Sequence, residues 1–245
     1  MRLKVVVPVI TEKFVEPTRK EVEKFISGDT EVDVQNIRYG TASIEARYDE
    51  MLCALDILRI VKKAEREGFD GVYIDCMGDP GVEEAREVVD IPVVGPARVS
   101  MLVAADLAHR FSVITVLKNV IPLLEEIAVT TRIVEKLASV RSVDIPVLGL
   151  EKEGRLLTAL VSESKRAVNR DGAHALVLGC TGMRGVAKRL QKSLKEEDYN
   201  VPVIYPVALG IKYLELLVSL NLSQSKKTYM HPPEKERNVW EKLEK

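Results

Sequence analysis

"GVYIDCMGDPGVEEAREVVDIPVVGP", residues 71–96, decides how this chain folds. It begins as a short apolar run, 71–75, and breaks at a Cys-Met-Gly-Asp-Pro-Gly turn. It resumes with helical spacing over 81–89 and returns to a second apolar run at 91–94. Glycine and Asp-Pro are turn formers, and runs of this length and β-branched content read as buried strands. Strand, turn, helix and strand in that order make a βαβ unit, whose two strands pair in parallel.

The same alternation extends in both directions. Upstream, 3–9 reads as a strand, 17–26 as a helix opened by Pro17, 31–37 as a strand and 45–67 as an amphipathic helix. Downstream, strands are expected at 111–116, 144–150, 175–179 and 201–205, with helices at 120–140, 155–170, 183–197 and 206–219. The halves match in register. Gly68, Cys76 and Gly78 have counterparts in Gly172, Cys180 and Gly182, each pair 104 residues apart. "DIPVVGP" (90–96) and "NVPVIYP" (200–206) then follow the two cysteines. Agreement of order and register indicates an internal duplication. The expected fold is therefore α/β: two similar Rossmann-like domains with mainly parallel sheets, related by a pseudo-two-fold axis, with the active-site cleft between them. The first domain is expected to span 1–98 and be joined by the helix near 206–220, and the second to span 99–205. Residues 223–245 are polar, carry Pro232-Pro233, and read as a surface tail with at most one short helix.

Bulk properties exclude several functions. A chain of 245 residues with 46% hydrophobic and 30% charged residues can bury a sizeable core. A formal net charge of -1 gives no basic footprint for nucleic acid. No apolar run reaches the roughly 18 residues of a membrane helix, and the N-terminus lacks the pattern of a secretory signal. Three cysteines, an odd number, argue against a disulfide framework and for a reducing cytoplasm. The three histidines, His109, His174 and His231, show no metal-ligand spacing, and neither a P-loop nor a G-x-G-x-x-G fingerprint is present. No cofactor and no metal is expected.

The cysteines carry the chemistry. Cys53 reads as a small buried hydrophobe on a helix, with Met51, Leu52, Leu55 and Leu58 around it. Cys76 and Cys180 differ, because each follows a strand and precedes a glycine turn and a helix. Ligands bind at the carboxyl ends of parallel strands, and a following helix would lower a thiol pKa from about 8.5 towards neutrality. Two equivalent thiols facing one cleft can remove a proton from one face of a carbon acid and deliver one to the other. One thiolate and one thiol are then expected at rest.

The blocks "GTASIEARYDE" (40–50), "DCMGDPGVEEAREV" (75–88), "IPVVGPARVSMLVAADLAHRFSVITV" (91–116) and "LGCTGM" (178–183) resemble the hydantoin racemases of the aspartate/glutamate racemase superfamily, over residues 3–220. The resemblance implies a cytoplasmic, homo-oligomeric, cofactor-independent isomerase with Cys76 and Cys180 as catalytic residues and a small-molecule substrate. No nucleic acid or membrane partner is implied. Amino-acid racemases of the superfamily have Gly-Cys-Thr-Glu where this chain has Gly179-Cys180-Thr181-Gly182, which favours a neutral cyclic substrate. The Asn-Pro-Asn turn usual after the family's first strand is replaced by Val7-Pro8-Val9.

Racemisation of a 5-substituted hydantoin at C5 builds charge on the C4 oxygen. Candidate donors are the amides of Met77, Gly78, Thr181 and Gly182, with the Thr181 hydroxyl. Ser43 resembles a substrate-binding position of the family and also reads as a helix N-cap. Thr115 is a candidate for the cleft wall, and Asp79 for orienting the first cysteine loop. Asp75 is expected to point away by strand alternation. Rival readings are a racemase of allantoin or another cyclic ureide, a maleate-type isomerase, a thiol redox sensor, and a non-catalytic ligand-binding protein. The maleate reading would need cationic groups for two carboxylates, for which Arg98 and Arg184 are the candidates.

Overall fold

A computed structural model describes residues 1–151 and 153–237. The last stretch of the polar tail, 238–245, and any short helix there lie outside the described residues. The elements in chain order are β1 (Arg2–Val7), α1 (Val15–Glu23), β2 (Glu31–Asn36), α2 (Arg47–Arg66), β3 (Gly71–Ile74), α3 (Val82–Val88), β4 (Val93–Val94) and α4 (Pro96–Leu107). The second half continues with β5 (Phe111–Thr115), α5 (Ile121–Thr130), β6 (Leu137–Ser142), α6 (Glu153–Asp171), β7 (Ala175–Leu178), α7 (Ala187–Glu196), β8 (Val203–Ile204) and α8 (Pro206–Ser219).

Two four-stranded sheets result, ordered β2-β1-β3-β4 and β6-β5-β7-β8, and every strand pair is parallel. The same order in both sheets is the three-dimensional form of the 104-residue repeat. Strands β3, β5 and β7 are buried along their whole length, which is why they read as continuous apolar runs rather than alternating ones.

Two features of the sequence reading are corrected. The apolar stretch 144–150 is not a strand: Asp144 adopts a left-handed φ of 52° and Pro146 follows, so the ladder ends at Ser142. The true strand, β6, overlaps the end of the 120–140 span expected to be helical. The 144–150 segment is apolar because it folds inward, with Ile145 and Leu150 buried. Helix α4 was not anticipated; Pro96 at its first position opens it after Gly95.

Helices α4 and α8 tie the halves together. Val207, Ile211 and Leu214 of α8 belong to the core of the first sheet. Ala97, Met101, Ala104 and Ala105 of α4 belong to the core of the second. The two helices also pack on each other, so each half completes its core with a helix that follows the other half's last strand. The described part of the tail is pinned down. Gln224 accepts from the Val93 amide at 3.3 Å and donates to the Val89 and Ile91 carbonyls at 2.9 Å, closing the free edge of β4.

Candidate active site

The carboxyl ends of β3 and β7 meet at the junction of the halves. Cys76 and Cys180 lie two residues beyond these equivalent strands, and both line one cleft enclosing about 660 Å³ of space open to solvent. All three cysteines of the chain are free thiols. The cleft walls are apolar, formed by Val7, Val9, Phe14, Val116, Val120 and Leu123, among others. Its ionisable side chains other than the thiols are Glu50, Asp75 and Arg184.

The cysteine loops are joined directly. The Thr181 hydroxyl donates to the Asp75 carbonyl at 3.1 Å in a buried hydrogen bond. Met77, beside Cys76, is buried in the hydrophobic core of the second half. Each loop is thus anchored in the opposite domain, which fixes the two thiols relative to one another.

The placements of the expected site residues divide. Cys76, Cys180, Met77, Gly78, Thr181 and Gly182 all line the cleft. The Thr181 hydroxyl, however, has given its hydrogen to Asp75, leaving its amide as the free donor. The Gly78 amide points at Cys76 Sγ, 3.5 Å away. Thr115 is fully buried and donates to the Gly179 carbonyl at 3.1 Å; its neighbour Val116 forms the wall instead. Asp79 sits behind the loop and accepts from the Ala97 and Arg98 amides, both at 2.9 Å, capping α4. Ser43 is outside the cleft lining and does not cap α2, whose N-cap is Ala46. Its carbonyl accepts from the Thr41 hydroxyl at 2.8 Å.

Asp75 corrects the expectation from alternation, since it lines the cleft beside Cys76. Strand β3 ends at Ile74, and the Cys76 amide bonds to the Ile74 carbonyl at 2.9 Å. That tight turn abolishes the two-residue period, so neighbouring side chains reach the same cavity. Asp75 is held by the Thr18 hydroxyl at 3.2 Å, and Arg184, which lies over the Phe14 ring, donates to Thr18 at 3.1 Å.

The thiols are also not acidified as expected. Burial pushes Cys180 up to about 11, against the Gly182 amide, which favours the thiolate. Burial, then the nearby Glu50 charge, drives Cys76 well above the ordinary thiol value, despite the Gly78 amide. Helices α3 and α7 begin at Val82 and Ala187, six and seven residues after the cysteines, so neither thiol sits at a helix N-cap. Both thiols are protonated at rest at neutral pH.

Glu50 escaped the sequence reading. In the first turn of α2 it looks like an ordinary dipole-satisfying acid, and nothing in local spacing aims it at a cleft. Cys53 is buried as expected, but on the face of α2 shared with Ile57, Ile60 and Val61. Met51, Leu52 and Leu55 lie on the exposed face.

Two parallel α/β halves with a thiol from each at one cleft define the architecture of the racemases that work between duplicated domains. Residues 4–214 match the Asp/Glu/Hydantoin racemase family, and the chain belongs to it. It is 38% identical over 238 residues to the hydantoin racemase of Pseudomonas sp. (strain NS671), covering 96% of this chain and 94% of that protein. It is 34% identical to the hydantoin racemase of Paenarthrobacter aurescens, covering 96% and 99%. The solved allantoin racemase from Klebsiella pneumoniae superposes with a TM-score of 0.90 at 32% identity, covering 99% of this chain and 98% of that one.

Proposed function

We propose that this protein is a cofactor-independent racemase of cyclic ureides, with 5-substituted hydantoins as its substrate class. Cys76 and Cys180 serve as the two proton-transfer groups. The observation that carries this reading is the opening of both pseudo-equivalent thiols onto one apolar cleft, on loops locked together by Thr181 and Asp75.

The thiolate of one cysteine takes the C5 proton and becomes a thiol. The electron pair passes onto the C4 carbonyl oxygen, where the amides of Met77 and Thr181 are the available donors, those of Gly78 and Gly182 being turned to the thiols. The opposite thiol then returns a proton to the other face and becomes the thiolate. The proton count is unchanged and the cysteines have exchanged roles. Burial makes the thiolate scarce but strongly basic, which suits a weak carbon acid. The apolar wall favours an apolar C5 substituent over the ureido group of allantoin. A dicarboxylate is poorly served, because Arg184 is the one arginine in the lining while Arg98 is engaged by Glu83 at 2.7 Å.

The test is chiral chromatography of hydantoin enantiomers and allantoin, together with deuterium exchange at C5 in heavy water. The wild type should racemise 5-alkyl hydantoins faster than allantoin. Cys76→Ser and Cys180→Ser should each abolish racemisation while retaining exchange of one enantiomer only, with opposite preference. Cys53→Ser should racemise normally. Normal racemisation in either of the first two variants sinks the two-thiol reading, and turnover of allantoin alone corrects the substrate.

A further inference from the structure

Proton transfer between two thiols leaves Glu50 without a task, although its side chain lines the cleft on the Cys76 side. Its Oε1 is sealed from solvent and makes no hydrogen bond. A buried oxygen without a partner is costly, and one that persists in a native structure calls for an explanation. The carboxyl lies against the first cysteine loop: a side chain at position 78 would place its Cβ 1.7 Å from Oε1 and push the carboxyl aside. The same Gly78 directs its amide at Cys76 Sγ.

The charges around Glu50 are mostly negative. Asp79, Glu126 and Asp49 all disfavour its ionisation, while Arg47 opposes them and is itself paired with Glu126 at the surface. Burial adds the largest contribution, and the carboxyl is pushed up to about 8. A neutral carboxylic acid presents an O–H donor and a carbonyl acceptor side by side. A cyclic ureide offers the complement, because the ring locks an N–H and a C=O cis on one edge. Asp75 also borders Cys76 and has an unpartnered buried Oδ1, but its other oxygen is tied to Thr18, to which Arg184 also donates.

We propose that the Glu50 carboxyl, once its Oε1 swings from Gly78 into the cleft, reads the cis-amide edge of a cyclic ureide by two parallel hydrogen bonds: its O–H donates to a ring carbonyl and its carbonyl oxygen accepts a ring N–H. This rests on the substrate class proposed above and adds the group that selects a neutral ring over a carboxylate, which has no donor to offer.

The experiment is calorimetric binding of 5,5-dimethylhydantoin, which has no C5 hydrogen to lose, and of its 1,3-dimethyl derivative, which has no N–H. At pH 6.5 the wild type should bind the first about 10- to 100-fold more tightly, the worth of two hydrogen bonds of ordinary strength. Glu50→Leu should bind both alike. Glu50→Gln, which keeps one donor and one acceptor, should restore the preference to within about threefold of the wild type. Between pH 7 and 9.5 the wild-type preference should fall as Glu50 loses its proton, while that of Glu50→Gln should not; ionisation of the ligand is common to both and cancels in the comparison. A preference retained in Glu50→Leu, or lost in Glu50→Gln, or equal pH dependence in wild type and Glu50→Gln, overturns the proposal. Failure of the wild type to bind either ligand also overturns it. If Glu50→Leu does not fold, the pH comparison with Glu50→Gln still decides. Racemisation is measured separately, so a protein that binds with this preference but turns over no ureide would refute the proposed reaction and not the role of Glu50.

Discussion

At the scale of single residues, each candidate thiol is governed by burial more than by its neighbours. Cys180, pushed up to about 11, is held as the thiol because water has been removed from around it. The sign is plain: below that value the protonated form dominates, and thiolate rises about tenfold per pH unit towards it. In a Cys53→Ser, Cys76→Ser background, alkylation of Cys180 by iodoacetamide should therefore be slow at pH 7 and still be climbing at pH 10. A rate that levels off near pH 8 would mean that the loop amides outweigh burial. The cysteines themselves were legible from their place after strands and before glycine. Their protonation was not, because it depends on how deeply the cleft closes over them.

Individual elements depend on side chains far away in sequence. Helix α4 has no capping side chain of its own at Gly95; its cap is Asp79, whose two oxygens accept from the Ala97 and Arg98 amides. Asp79 also takes a left-handed φ of 50°, a conformation aspartate tolerates better than most residues. Asp79→Ala should cost about 2 kcal/mol, since it strips the cap and leaves the amides unpaired. That corresponds to a fall in Tm of roughly 4–8 °C in a chain of this size. Asp79→Asn should recover part of the loss by keeping one acceptor. Scanning calorimetry checks both, and an Asp79→Ala protein as stable as the wild type would rule out the cap. "GDPG" identified a turn from its composition, but nothing local reveals a helix cap eighteen residues ahead.

For the molecule as a whole, we propose a first domain of residues 1–98 completed by the helix at 206–220, and a second of 99–205. The packing of α8 supports this: Val207, Ile211 and Leu214 fill the first core, and Gly210 lies so close to the Tyr73 ring that an added Cβ would meet it at 2.5 Å. A fragment of residues 1–98 should accordingly remain unfolded by circular dichroism. Fusion of 206–222 through a flexible glycine-rich linker should restore helicity and a cooperative melt. Cooperative folding of 1–98 alone would place the boundary elsewhere.

The sequence by itself determined the α/β class, the duplication and the position of Cys76 and Cys180, because these rest on local periodicity and on a register that repeats every 104 residues. It misassigned 144–150, whose apolar residues serve a folded-in loop rather than a strand, since burial alone does not distinguish the two. It also turned Asp75 away from the cleft, because a period of two holds only while the strand lasts. Tertiary structure alone decided which acids share the cavity, why both thiols rest protonated, and how Glu50, 26 residues before Cys76 and on a different element, comes to lie against its loop. Those outcomes depend on desolvation and on the approach of one chain segment to another, and neither is a property of neighbouring residues in the chain.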